Sequence, residues 1–483
     1  MVRNMVGNAA TMPRSRTTLT RGNGYRWRQA LLALVIMLLI SPYEYTFTIF
    51  EQPIATAHHW SLPSVATTYT IYIVVASLFM IPSGRWSDRW QPRWFTTVAG
   101  LITGLGWITA AFAQTRPELY LAYGLGALGT GYIYCNCINN ALKWFPEPAR
   151  RGMAVGLIDM GFGLGSAIFI PILAPVVDAG TYGYRTAFVA MGVAMLVIIV
   201  TVAQFVRYPA PGWLPDGYDA AAEQARTARH TRGVANASRD FTWQETLRTW
   251  QYWWSVIGLC FIAAAGLMIT AHIVVVAKSN ILVDAAAIGT AAATFSRIPN
   301  GVMRWVAGGL SDYFGRERLM VVFFCIMGIA TILLPEVSVG WLFIVLNLVA
   351  LGCWGPLFSL YPALVSDYWG RRYSGINYGL VYGPGRAIAG VWAGTVAATL
   401  FTISGSWSLP FDIAGALAII SGLMALVLRR PGRKEITRMA SPQTTATIHG
   451  GLRPCPSRAS SDQSPGPVRA SAVADSPSRA GYS

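Results

Sequence analysis

Gly84-Arg85-Trp86-Ser87-Asp88 and Gly308-Gly309-Leu310-Ser311-Asp312 are two copies of one short signal, and each closes a long apolar run. A second pair, Arg150-Arg151 and Arg371-Arg372, recurs at nearly the same separation. Matching polar punctuation in matching places means that the chain repeats itself, with about six apolar segments in each half. In lipid, a duplicated layout of this kind places a site between the halves.

Composition puts the chain in lipid. Its 483 residues are 54% hydrophobic and only 12% charged, whereas a soluble domain carries about 25% charged residues. Too few charges remain to coat a soluble protein of this size. The net charge of +16 does not mark a nucleic-acid binder, because the basic residues sit in short loops and tails rather than on one basic face. No nucleic-acid partner is therefore expected. The cysteines, Cys135, Cys137, Cys260, Cys325, Cys353 and Cys455, have no metal-ligand spacing and read as small apolar residues in the reduced state.

A membrane-crossing helix needs about 20 mostly apolar residues. The runs 29–50, 64–85, 95–114, 118–141, 152–176, 184–206, 252–275, 285–310, 319–336, 341–364, 374–401 and 409–429 meet that need. The expected fold is all-α, with twelve transmembrane helices in two six-helix bundles, 29–206 and 251–429. A tail of residues 1–28 precedes them, rich in arginine, and the first run is too long for the core of a signal peptide. The polar stretch 207–250 reads as a linker between bundles; its Asn236-Ala237-Ser238 is a formal glycosylation sequon. Residues 430–483 are rich in Ser, Pro, Arg, Gly and Ala and are expected to be disordered.

Loop charge gives an orientation. Arg85, Arg89, Arg93, Lys143, Arg150, Arg151, Arg316, Arg318, Arg371 and Arg372 fall in loops on one side; Arg116, Arg185 and Lys278 fall on the other. The first side, both termini and the linker are expected in the cytoplasm of an inner or plasma membrane. Within the runs, Gly124, Gly126, Gly129 and Gly131, and Gly161, Gly163 and Gly165, suit close helix packing.

The signals Gly84…Asp88-Arg89 and Gly308…Asp312…Gly315-Arg316, after the second and eighth runs, resemble the loop signature of the major facilitator superfamily over most of 29–429. The first copy continues Trp90-Gln91-Pro92-Arg93 and lacks the usual Gly-Arg. Further stretches resemble the oxalate:formate antiporter group. Tyr45-Thr46-Phe47-Thr48-Ile49-Phe50 is similar to its Tyr-x-Trp-Ser-x-Phe. Lys143-Trp144-Phe145-Pro146, Arg151-Gly152 and Gly161-Phe162-Gly163-Leu164-Gly165 resemble its fourth-to-fifth helix stretch. Asn377-Tyr378-Gly379-Leu380-Val381-Tyr382 resembles its eleventh helix. The resemblance implies transport of small organic anions by exchange or with protons. It also implies that an arginine in the eighth helix, here Arg304, and a basic residue in the eleventh, here Arg386, bind carboxylates. Gly383-Pro384-Gly385-Arg386 stands where the group tends to have Ala-Lys-Gly, which puts oxalate itself in doubt and leaves an anion.

Depth supports the same two residues. At 1.5 Å per residue, Arg304 lies about 12 Å from Asp312, near the middle of a core of about 30 Å. Arg386 lies about 18 Å along its helix. Arg297 falls further out. An arginine at such depth costs at least about 3 kcal/mol unless it faces a cavity or a partner, and its fork matches a carboxylate. Glu44 and Asp159 also fall within apolar runs. They are either structural partners of the arginines or, as poorly solvated carboxylates, proton carriers. His272 is a further proton-carrier candidate. By their family positions, Tyr45, Tyr132, Tyr134 and Trp354, with Phe358 and Tyr382, are expected to line the cavity. Asp88 and Asp312 are expected to gate it, bridged by Arg150, Arg151, Arg371 and Arg372.

No catalytic constellation, P-loop or metal cluster is legible, so an enzyme, a cofactor and a metal are not expected, and transport must draw on gradients. The reading is a secondary carrier of mono- or dicarboxylates working by alternating access, as antiporter or proton symporter, with an organic anion, protons and the bilayer as partners. Its rivals are an exporter of drugs or neutral metabolites with the same fold, and a non-transporting sensor.

Overall fold

The computed structural model describes residues 23–180, 183–210, 213–219, 239–281 and 283–431. Every expected run is helical there. The first is broken into α1 (Asn23–Ile40), α2 (Pro42–Tyr45) and α3 (Phe47–His58). The next five are α4 (Leu62–Arg89), α5 (Pro92–Ala111), α6 (Arg116–Trp144), α7 (Pro148–Val177) and α8 (Gly183–Ala203). After the short α9 (Trp243–Leu247) come α10 (Trp250–Asn280) and the broken eighth run, α11 (Ala285–Phe295) with α12 (Arg297–Phe314). Then follow α13 (Arg316–Leu333), the pair α14 (Gly340–Trp354) and α15 (Leu357–Trp369), α16 (Ser374–Val391), α17 (Ala397–Ser404) and α18 (Ser408–Ala425). The result is the expected fold of twelve spans, six in each half.

Among the described residues, ten spans are long and apolar enough to cross a membrane on length and composition. The two that fall short do so for physical reasons. The eighth is interrupted at Ser296 and carries Arg297, Arg304 and Asp312. α6 is buried along much of its length and holds the amides Asn136, Asn139 and Asn140. α1 begins earlier than expected because Arg26 is no tail residue: its guanidinium is buried against Glu147 at 2.5 Å. The linker's far end is also ordered, since Thr242 and Glu245 form a reciprocal capping box that starts α9. Of the cysteines, Cys135, Cys137 and Cys353 are buried and none of the described ones is in a disulfide. The sequon at Asn236, Cys455, and the expected disorder of all but the first residues of 430–483 lie outside the described residues, as does nearly all of the tail 1–28.

The halves meet along two helix pairs, α4 with α16 and α7 with α12. Glycines make this approach possible. A Cβ on Gly84 would overlap the Gly375 carbonyl, and one on Gly152 would overlap the Gly308 carbonyl. The repeated signal therefore begins with glycine in both copies because backbone lies against backbone there. Gly84→Ala is expected to force α4 from α16 and to destabilise the fold by about 1–3 kcal/mol, read as a lower unfolding midpoint of the purified protein. Gly24→Ala, at a position with open space around it, is the control. Equal midpoints for the two variants would show that the contact contributes nothing.

Candidate functional site

The breaks in the helices set up the site. Pro42 sits in the first turn of α2, where a missing N–H costs nothing. The short α2 between the breaks at Ser41 and Thr46 carries Glu44 and Tyr45, 2% exposed each. The break at Ser296 starts α12 on Arg297, and Gly355-Pro356 separates α14 from α15. Irregular backbone of this kind is tolerated at membrane depth only where protein or a cavity surrounds it.

Arg304 of α12 is fully buried. Its Nη1 donates to Asp159 Oδ2 of α7 at 3.1 Å, and its Nη2 donates to Tyr45 OH at 3.0 Å and to Asn300 Oδ1 at 2.9 Å. Phe358 lies against the guanidinium face, 3.9 Å from ring centre to Cζ. Arg386 of α16 repeats the device. Its Nη2 is paired with the Glu44 carboxylate, its Nη1 donates to Ser77 Oγ at 3.3 Å, and Tyr382 lies 5.6 Å from its Cζ. In each pair the arginine belongs to the second half of the chain and the acid to the first. Arg297 is also buried, 4.6 Å over the Tyr45 ring and 3.5 Å from Thr270 Oγ1.

Aromatic rings join the two pairs. Tyr45 meets Phe162 at 5.4 Å, Phe162 meets Tyr134 at 5.3 Å, and Tyr134 stacks on Tyr382 at 5.6 Å. Glu44, Tyr134, Phe162, Tyr382 and Arg386 line a small cavity with room for about one water molecule. Trp354 packs on Gly266 and on Phe358, behind the Arg304 guanidinium rather than on the cavity wall. Tyr132 departs from expectation. Its ring faces Phe95 of α5, because two residues along a helix turn a side chain about 200° away from Tyr134. His272 is held 2.9 Å from the Ala393 carbonyl, at the π-helical turn Trp392–Val396. Asn300 and Ser77 were not legible as site residues. For Asn300 the signal was its place one helical turn before Arg304.

Three arginines face two acids in this core. Buried atoms of both kinds have no hydrogen-bond partner among the described residues: the donors Arg297 Nε, Arg304 Nε, Arg386 Nε and Trp354 Nε1, and the carboxylate oxygens Asp159 Oδ1 and, apart from its ion pair with Arg386, Glu44 Oε1. Buried donors without acceptors are rare. The excess of one positive charge is complementary to an anion.

At one end of the molecule the two halves are latched together. Asp88 accepts from the backbone N–H groups of Gly375 at 3.0 Å and Ile376 at 2.9 Å, and from Asn139 Nδ2 at 3.0 Å. Asp312 accepts from the N–H groups of Gly152 and Met153, each at 2.9 Å. Asp88 thus caps the first turn of α16 from the opposite half, where free N–H groups and the helix dipole favour a carboxylate, and Asp312 meets α7 one turn further along, at its fifth and sixth residues. Of the arginines expected to bridge these acids, Arg151 does cross between the halves, but to Asp367. Arg316 holds Asp312 at 2.5 Å and Asp367 at 3.2 Å. Arg371 donates to the Lys143 carbonyl at 3.2 Å, Arg372 lies 5.4 Å from the Tyr373 ring, and Arg150 has no ion pair among the described residues.

The sequence profile described as Major Facilitator Superfamily matches residues 32–383 and 260–461. The oxalate:formate antiporter of Oxalobacter formigenes is 29% identical over 428 residues, 88% of this chain and 96% of that protein. Monocarboxylate transporter 11 of Mus musculus is 35% identical over 112 residues, 23% of this chain and 24% of that one. Among solved structures, the proton:xylose symporter XylE bound to 6-bromo-6-deoxy-D-glucose superposes with a TM-score of 0.64 at 12% identity, covering 84% of this chain and 96% of that one. FucP in the outward conformation gives 0.62 at 13% identity, covering 82% and 98%. At such identities the two structures speak for the fold alone.

Proposed function

The chain belongs to the Major Facilitator Superfamily and is a multi-pass membrane transporter, and from that premise we propose that it carries small organic anions, mono- or dicarboxylates, by alternating access. The observation that carries this reading is the pair of buried arginines, Arg304 and Arg386, each bound to a carboxylate from the opposite half. A substrate carboxylate is the chemical equivalent of those two side chains. It can take their place on the same forks, and the excess positive charge of the core supplies the rest. The long match to an oxalate:formate antiporter and the shorter one to a monocarboxylate transporter support the same substrate class. Glu44 and Asp159 then have a second task. Protonating either one frees its arginine for the substrate, which couples anion binding to proton uptake.

Counterflow in proteoliposomes with a panel of labelled mono- and dicarboxylates tests the substrate class. Saturable exchange of at least one of them is expected. If none exchanges while a cationic drug or a neutral metabolite does, the carrier is of the rival kind.

We also assign the latched end, both termini and the central linker to the cytoplasm, on the loop arginines. An alkaline phosphatase fused after residue 225 is expected to be inactive, and a fluorescent protein fused there to fold and glow. The reverse pattern would invert the assignment.

A further inference from the structure

A second cavity, of about 800 Å³, opens between the halves at the latched end. It shares no lining residue with the ionic core. Arg89 and Lys143 reach it from the first half of the chain, and Arg371 and Arg372 from the second. Two acids, Asp88 and Asp240, lie in its walls; both oxygens of Asp88 are engaged, and Asp240 is engaged through Oδ1. Asp88 accepts from the amides of Gly375 and Ile376. Asp240 Oδ1 accepts from the amides of Arg371 at 2.9 Å and Arg372 at 3.2 Å.

The positive charge of Arg371 is poorly answered. One nitrogen donates to the Lys143 carbonyl. Its Nε is buried with no hydrogen-bond partner among the described residues, and no carboxylate there is within ion-pair distance of it. Burial, together with the neighbouring Arg151, lowers the pKa of this guanidinium to about 10, against the weaker opposing pull of Tyr218, Asp240 and Glu147. Lys143 spends one bond on the Ser87 carbonyl at 2.7 Å and stands 3.8 Å from Asp88, which leaves donors to spare on an ammonium.

We propose that this cavity is a second anion site, which takes a small multivalent anion between Arg89 and Lys143 of one half and Arg371 and Arg372 of the other. Two sources offer that chemistry: inorganic phosphate, and the carboxylate cargo at the mouth of the carrier. Whichever binds, the anion joins both halves. It therefore binds the latched state more tightly than any state in which the halves have parted, and by linkage it holds the latch shut. An anion accumulating on that side slows its own side's opening.

The test uses the purified full-length protein. Phosphate is titrated at fixed ionic strength against thermal unfolding, with chloride as reference. A saturable rise in the midpoint is expected for the wild type. Arg371→Gln combined with Arg372→Gln should weaken the apparent phosphate affinity at least about tenfold, which is the loss of one charge-assisted contact. Arg386→Gln, made together with Glu44→Gln so that no buried carboxylate is stranded in the ionic core, should leave it unchanged. Arg89→Gln, at an exposed position, supplies a second variant that keeps the fold and is expected to weaken phosphate as well. Oxalate titrated in parallel separates the sources. An oxalate response that survives in the Arg386/Glu44 variant and falls in the Arg371/Arg372 variant places cargo at this site; one abolished in the Arg386/Glu44 variant leaves phosphate as the occupant. No phosphate response in the wild type, or an equal one in the Arg371/Arg372 and Arg89 variants, overturns the site. Neither result bears on carboxylate binding in the core, which the Arg386/Glu44 variant reads separately.

Discussion

Arg304→Ala is expected to abolish saturable carboxylate transport, and the structure says why the single variant is also a poor instrument. The guanidinium satisfies Asp159, Tyr45 and Asn300 at once. Its removal strands a fully buried carboxylate, and breaking such a pair costs about 3–5 kcal/mol. Lost transport then mixes lost binding with a damaged core. Arg304→Gln combined with Asp159→Asn separates the two. It replaces the ion pair by a neutral pair of similar size that can still hydrogen-bond, so the unfolding midpoint should stay near that of the wild type. The substrate still loses a charge-assisted bond of about 1.5–3 kcal/mol, at least about tenfold in affinity. Arg304→Lys should rescue poorly, because Nη1 and Nη2 serve different partners on different helices and a point charge reaches one of them. Arg386→Lys should be milder, since Glu44 and Ser77 ask less of the fork's geometry. Carboxylate uptake with normal affinity in the Arg304→Gln/Asp159→Asn variant would remove Arg304 from the binding site.

What could be read from the sequence, and what could not, divides along physical lines. The spans were legible because lipid demands long apolar runs, and the duplication was legible because Gly84…Asp88 and Gly308…Asp312 repeat. The breaks were not, although Ser41-Pro42 and Gly355-Pro356 announce them, because apolar neighbours on both sides let each run read as continuous. Depth alone singles out Arg304 and Arg386, since an arginine far from either end of a span must have a partner. Which acid serves which arginine depends on how the halves pack, and no spacing within one helix encodes that. Tyr132 and Tyr134 could have been separated by helical periodicity once either was placed. The latch was hidden for another reason. The partners of Asp88 and Asp312 are main-chain amides, which every sequence contains, so the search for opposite charge pointed to Arg371 and Arg372 instead.

That difference in partners ranks the three latch acids by the damage their loss should cause. Asp88 is held chiefly by two amides and a side-chain amide, so Asp88→Asn keeps an acceptor oxygen and loses mainly charge, near a lysine that is itself partly solvated. Asp312→Asn loses as much and also weakens Arg316, which retains Asp367. Asp367 is, among the described residues, the one carboxylate shared by two buried arginines from opposite halves, Arg151 and Arg316. Asp367→Asn leaves Arg151 with a neutral partner, and Arg316 with Asp312 as its remaining charged one, in a site that water does not reach. Arg151 also donates to the carbonyls of Phe145 and Pro146, which carry no formal charge. The cost should approach the roughly 3–5 kcal/mol of a broken buried pair, and it falls on the latched state, because parting the halves lets Arg151 and Arg316 separate and hydrate. Transport rate should therefore fall most for Asp367→Asn, less for Asp312→Asn and least for Asp88→Asn. The unfolding midpoint should follow the same order. Measuring both for the three variants is decisive, since an Asp367→Asn carrier that cycles at the wild-type rate would mean that the arginine–aspartate cluster does not govern closure, and that the amide bonds of Asp88 and Asp312 hold the latch without it.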